Sequence, residues 1–147
     1  MPSPLELNGR GRRILVVDDD LAIRILLQAV LRRLQFDVDL AEDGERGLQL
    51  FQKNSSYALI LLDLMMPRLN GYEFLERIDR AFGDSHPHIV VFTAAGERGV
   101  RKIPPGRVCT SILKPFDLEK FLALVSECVL ERHSSDGNGA VRPQSGR

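Results

Sequence analysis

The chain has no tryptophan, two tyrosines, two cysteines and three histidines among its 147 residues. It also lacks an excess of either charge, with Lys+Arg and Asp+Glu at 20 each. Net charge therefore gives no argument for nucleic acid or an anionic membrane as a partner. No apolar run approaches the roughly 20 residues of a membrane span. Met1-Pro2-Ser3-Pro4 has no cationic start followed by an apolar stretch, so no secretory signal is visible. The expectation is a cytoplasmic protein without membrane insertion. Cys109 and Cys128, two thiols in apolar surroundings, read as core filler, not as a disulfide or a redox pair. His86, His88 and His133 show no metal-ligand spacing and read as bystanders.

What the sequence does have is short, dense apolar runs. Hydrophobic residues make up 44%, enough for one domain with a sizeable core and too much for a disordered chain. Leu59-Ile60-Leu61-Leu62 runs unbroken into Asp63, then Leu64-Met65-Met66-Pro67. Such a run suits a strand buried on both faces of a parallel sheet. Ile14 to Val17 forms a similar strand and ends in Asp18-Asp19-Asp20. His88 to Phe92 ends in Thr93, Val108 to Leu113 ends in Lys114-Pro115, and a weaker strand fits Asp37 to Leu40.

Between these strands the period becomes helical. Ile23, Leu26, Leu27, Val30, Leu31 and Leu34 recur at three- and four-residue steps, with Asp20 placed to cap that helix. Further helices fit 44–53, 72–82 and 118–129, while 96–103 is weak, confined by Gly96, Gly99 and Pro104-Pro105-Gly106. Residues 1–12 read as a flexible arm, 13–132 as the folded domain, and 133–147 as a disordered tail. Gly9-Arg10-Gly11 precedes the first strand and lacks a third glycine, so it is no phosphate loop. The order β-α, five times over, predicts a parallel sheet with right-handed crossovers and helices on both faces.

Parallel strands place all their C-terminal ends on one rim, where α/β sheets bind ligands. Asp18, Asp19, Asp63, Thr93 and Lys114 meet there. Two carboxylates about 4 Å apart repel by roughly 4 kcal/mol at an effective dielectric of 20. Three of them need a cation to stay ionised together. An all-oxygen set favours Mg²⁺ over zinc or copper and suits phosphoryl chemistry. A carboxylate between a metal and an ammonium is the arrangement that forms an aspartyl-phosphate.

Ile14-Leu15-Val16-Val17-Asp18-Asp19, Leu61 to Pro67, Phe92-Thr93-Ala94 and Leu113-Lys114-Pro115-Phe116 together resemble the receiver domain of two-component response regulators, of the chemotaxis-regulator type. The resemblance spans about residues 13–132. It implies a flavodoxin-like (βα)5 doubly wound sheet of five parallel strands, order 2-1-3-4-5, with a short or irregular fourth helix. It further implies that Asp63 accepts a phosphoryl group from a sensor histidine kinase or a phosphotransfer protein. Asp18, Asp19, Asp63 and the backbone carbonyl of Met65 would hold Mg²⁺, and Thr93 and Lys114 would bind phosphoryl oxygens. A cis Lys114-Pro115 bond is expected. The domain would catalyse its own Mg²⁺-dependent phosphorylation and dephosphorylation, with no separate enzymatic turnover, and signal through protein contacts.

Several positions depart from the family pattern. Receivers commonly carry Tyr or Phe where this chain has Ser111, a residue too small to fill the space such a ring takes. The face built from the fourth helix, fifth strand and fifth helix is therefore expected to be remodelled. Met65 and Ala95 offer no side-chain hydrogen bond to an attacking water, which predicts slow self-dephosphorylation. The alternative function is a pseudo-receiver adaptor that binds a partner independently of phosphorylation. A hydrolase would want an acid two residues after Asp63, where Met65 stands. A flavin carrier would want a phosphate loop where Asp18-Asp19-Asp20 stands. A stand-alone regulator and a piece of a longer protein both remain open.

Overall fold

The structure, a computed structural model, describes residues 8–138. Five strands, β1 (Arg13–Val17), β2 (Asp37–Ala41), β3 (Leu59–Leu62), β4 (His88–Thr93) and β5 (Thr110–Leu113), alternate with five helices. These are α1 (Leu21–Arg33), α2 (Gly44–Lys53), α3 (Gly71–Phe82), α4 (Gly96–Arg101) and α5 (Leu118–Asn138), and a 3-10 turn, Gly83–Ser85, follows α3. All strand pairs are parallel and the order is β2-β1-β3-β4-β5. Fold class and strand order are as expected from the sequence, and α4 is a short helix of six residues.

The unbroken apolar strands are explained by what covers them. Ile14, Val16, Leu59, Leu61, Val90 and Phe92 pack on one side against Leu27 and Leu31 of α1 and Phe121 and Val125 of α5. Leu15, Val17, Ile60, Leu62, Ile89 and Val91 pack on the other against Phe51 of α2 and Phe74 and Ile78 of α3. Both parities of each central strand are thus buried. Each such side chain contributes about 1.5–3 kcal/mol through burial.

Helix ends follow their caps. The Asp20 carboxylate accepts from the Ala22 and Ile23 amides, as expected. Asp43 caps α2 through the Arg46 amide, and Asn70 with Glu73 forms a capping box on α3. Lys114-Pro115 is cis.

Four expectations need correction. Cys109 and Cys128 are not separate thiols but a disulfide, with Cα atoms 6.4 Å apart. No sequence pattern signals that a strand's start and a helix 19 residues on will lie side by side. Part of the supposed loose arm is anchored: Gly9 is buried, its amide donates to the Leu34 carbonyl (2.7 Å), and Arg12 closes a turn back to Gly9. A side chain at Gly9 would collide with the Phe36 ring, so only glycine lets the chain lie there; residues 1–7 lie outside the described ones. The supposed tail is helical as far as Asn138. Ser134, Ser135 and Gly137 are weak helix formers, but extending a packed helix avoids the cost of nucleation. Residues 139–147, and the His133 side chain, lie outside the described ones. Lastly, β5 begins at Thr110 and not at Val108.

Candidate functional site

Strand register brings the rim residues to one level. Val17 pairs with Leu62, so Asp18 and Asp63 leave their strands side by side, and the Asp63 amide donates to the Val17 carbonyl (2.9 Å). Thr93 pairs with Leu113, and the Lys114 amide donates to the Thr93 carbonyl (2.8 Å). The expected set therefore converges. Carboxylate oxygens of Asp18, Asp19 and Asp63 all lie within 4.8 Å of one another. Lys114 Nζ sits 2.8 Å from Asp18 Oδ2 and 3.6 Å from Asp63 Oδ2. Its ammonium also lies over the Phe92 ring, 5.0 Å from the centroid, an attraction that adds to the ion pairs.

Backbone donors hold the acids in place. The Asp20 amide donates to Asp18 Oδ1 (2.8 Å), and the Met65 amide to Asp63 Oδ1 (3.2 Å). The Thr93 hydroxyl, fully buried, accepts from the Ala95 amide (3.1 Å). Met65 has an exposed side chain and lies in the loop leading to α3. Asp19 is exposed at the mouth.

Electrostatics follow from burial. Desolvation, the largest influence, raises both Asp18 and Asp63 above the usual carboxylate range, although Lys114 pulls each back. Burial alone would lower the Lys114 ammonium, but the hydrogen bond to Asp18 and the charges of both acids leave it above its ordinary value. One ammonium facing three carboxylates leaves an acidic excess in a largely dry place. That donor set, oxygen only and with one exposed member, could hold a divalent cation of the hard class.

Two features of the site were not foreseen. Arg24 of α1 donates from Nη1 to the Asp18 carbonyl (2.7 Å), fastening the first acidic turn. Arg68, at a positive φ of 65°, pairs with buried Asp43 at 3.0 Å and ties the loop after Asp63 to the start of α2. Neither pairing has a local sequence signal. Gly71 is held as tightly: a Cβ there would meet the Asp63 carbonyl oxygen at 2.5 Å and Leu64 Cα at 2.6 Å. On the neighbouring face Ser111, half-buried, borders a cleft of about 520 Å³ with Glu97, Val100, Arg101 and Leu113.

Residues 14–126 match the family described as "Response regulator receiver domain". The chain belongs to that family. Among curated relatives of this receiver domain, "Response regulator MprA" of Mycobacterium sp. (strain KMS) is 41% identical over 125 residues, covering 84% of this chain and 53% of the relative. The "Transcriptional regulatory protein CpxR homolog" of Haemophilus influenzae is 36% identical over 127 residues, covering 86% of this chain and 53% of the relative. The chain thus spans about half the length of these relatives. Among solved structures, the response regulator TrrA of Thermotoga maritima, in complex with Mg²⁺-BeF, superposes with a TM-score of 0.70 at 30% identity, over 80% of this chain and 98% of that one. A chemotaxis-regulator-like receiver domain from Methanospirillum hungatei gives 0.75 at 25% identity, over 84% and 98%. Among the described residues no helix is long and apolar enough to cross a membrane.

Proposed function

We propose that this receiver domain takes a phosphoryl group onto Asp63 from the phosphohistidine of a sensor histidine kinase or a phosphotransfer protein, and that it signals through protein contacts. One observation carries the reading: Lys114 Nζ stands 2.8 Å from Asp18 and 3.6 Å from Asp63 in a site with an excess of carboxylates. A half-buried ammonium there favours the ionised, nucleophilic form of Asp63, although burial pushes it toward the protonated form. An Asp63 carboxylate oxygen forms the new bond to phosphorus as the phosphorus–nitrogen bond breaks, and the leaving imidazole takes up a proton.

Asp18, Asp19, Asp63 and the Met65 backbone carbonyl are the groups that would hold Mg²⁺. When bound, the cation offsets the acidic excess and draws charge from phosphoryl oxygens. Lys114 then exchanges its contact with Asp63 for one to a phosphoryl oxygen, and the Thr93 hydroxyl donates to another. The domain catalyses its own phosphorylation and dephosphorylation. Mass spectrometry after incubation with acetyl phosphate and Mg²⁺ tests this. One added phosphoryl group on the wild type and none on Asp63→Asn is the expected result. Equal labelling of both would overturn it. A second reading, a pseudo-receiver adaptor, is favoured by Ser111 and the cleft beside it. It wins if the wild type takes no phosphoryl group from any donor.

A further inference from the structure

The Cys109–Cys128 disulfide lies away from the acidic rim and has no part in the chemistry above. Cys109 immediately precedes β5, and Cys128 is buried on α5. Among the described residues β5 is an edge strand of four residues, paired with β4 alone. The bond therefore clamps the free end of the sheet to its covering helix. It also closes a covalent ring of chain that contains Lys114, since residue 114 lies between 109 and 128.

The two cysteines differ in access. Cys128 is 2% exposed, whereas Cys109 is half-buried and lines an open cleft of about 170 Å³ with His86, Pro87, His88, Gly106 and Arg107. Cys109 is thus the member of the pair that borders an open cleft, and Cys128 the one enclosed in the core. Exchange rates depend on which sulfur is attacked and on access to it, so this asymmetry defines an entry point.

We propose that Cys109 and Cys128 form a reversible redox site, opened and closed by thiols and disulfides of the glutathione class entering at Cys109. In closing, the Cys109 thiolate attacks glutathione disulfide, forming a mixed disulfide and releasing one glutathione thiolate. The Cys128 thiolate then attacks the Cys109 sulfur, forming the protein bond and releasing the second. Two protein thiols are oxidised, two glutathione thiols are produced, and the two protons lost by the cysteines are taken up by the glutathione thiolates. Opening is the reverse. The open form frees the start of β5 from α5 and releases the ring around Lys114.

The full chain is equilibrated in buffers of varied reduced and oxidised glutathione, quenched by alkylation, and read by intact mass and by thermal melting. Both cysteines should pass from alkylated to protected across the series, reversibly, in the native protein. A loop of this length predicts a melting temperature about 10 °C higher in the oxidised form. Cys128→Ala, which keeps the accessible thiol, should take up one glutathione, and Cys109→Ser, which keeps the buried one, should take up none. A bond that never forms, one that resists reduced glutathione in the folded protein, equal glutathione uptake by the two variants, or a melting shift below about 2 °C would each overturn the proposal.

Discussion

Replacing Asp63 by Asn should make the metal-free protein more stable, although it removes a residue from an ion pair. At an effective dielectric of 20, Asp18 at 4.8 Å or closer opposes Asp63 by at least about 3.5 kcal/mol. Lys114 at 3.6 Å attracts it by about 4.6 kcal/mol. These nearly cancel, and exposed Asp19, screened by water, adds about 1 kcal/mol of repulsion. What is left is the cost of holding a carboxylate out of water, several kcal/mol before relaxation. An amide of the same shape avoids it. The expected gain is about 2 kcal/mol, a rise in melting temperature of roughly 5–10 °C.

The assay is thermal melting of both proteins in EDTA and in Mg²⁺. Mg²⁺ should raise the wild type and move the variant much less, closing the gap. The pH dependence has a definite sign. Because the folded-state value of Asp63 is raised, proton uptake favours the folded state. The wild type therefore gains on the variant as pH falls through that raised value, and the gap reopens as pH rises. A variant that melts lower in EDTA, or a Mg²⁺ shift equal in both proteins, would refute the balance of forces described for the site.

Lys114→Ala leaves Asp18, fully buried, without its ammonium, and melting in EDTA should show a loss of about 3 kcal/mol. Stability from Lys114 is present below its ordinary value near 10.5 and is lost as pH rises past its raised one, which alkaline melting of wild type against Lys114→Met would show. Gly71→Ala pushes a methyl group into the Asp63 carbonyl and should cost about 3 kcal/mol together with most of the labelling by acetyl phosphate. Arg68→Gly relieves a positive φ but takes an exposed guanidinium away from buried Asp43, which keeps the Arg46 amide, so melting should show a loss of about 1 kcal/mol. The Asp63 phosphoryl group, followed by intact mass without a phosphatase, should last far longer than seconds, since Met65 and Ala95 cannot orient water through their side chains. Met65→Asn should shorten that lifetime.

The fold was readable because the central strands hold unbroken apolar runs, Ile14 to Val17, Leu59 to Leu62 and Ile89 to Phe92, each followed by a polar residue, Asp18, Asp63 or Thr93. Asp18, Asp63, Thr93 and Lys114 could be assigned to one rim because parallel strands share a direction. The contacts that tune the site were not readable. Arg24 reaching the Asp18 carbonyl and Arg68 reaching Asp43 involve arginines whose sequence setting is that of ordinary surface residues. The disulfide escaped for a similar reason: neither thiol carries a local mark of its partner, and apolar neighbours suit a free thiol equally well. The anchored Gly9 and the helical stretch to Asn138 depend on packing and on helix extension, which composition does not report.

A strand buried on both sides carries no code for which side is which. In a half-buried strand, sliding by one residue turns every greasy side chain to water; in β3, with Leu59 to Leu62 alike and all fully covered, sliding changes almost nothing in the interior. What a slip would do is drag Asp63 down among those leucines or lift Leu62 into the acidic mouth. The alignment of the central sheet is then policed from its acidic margin, and the residues proposed to do the chemistry also keep the strands from pairing out of step.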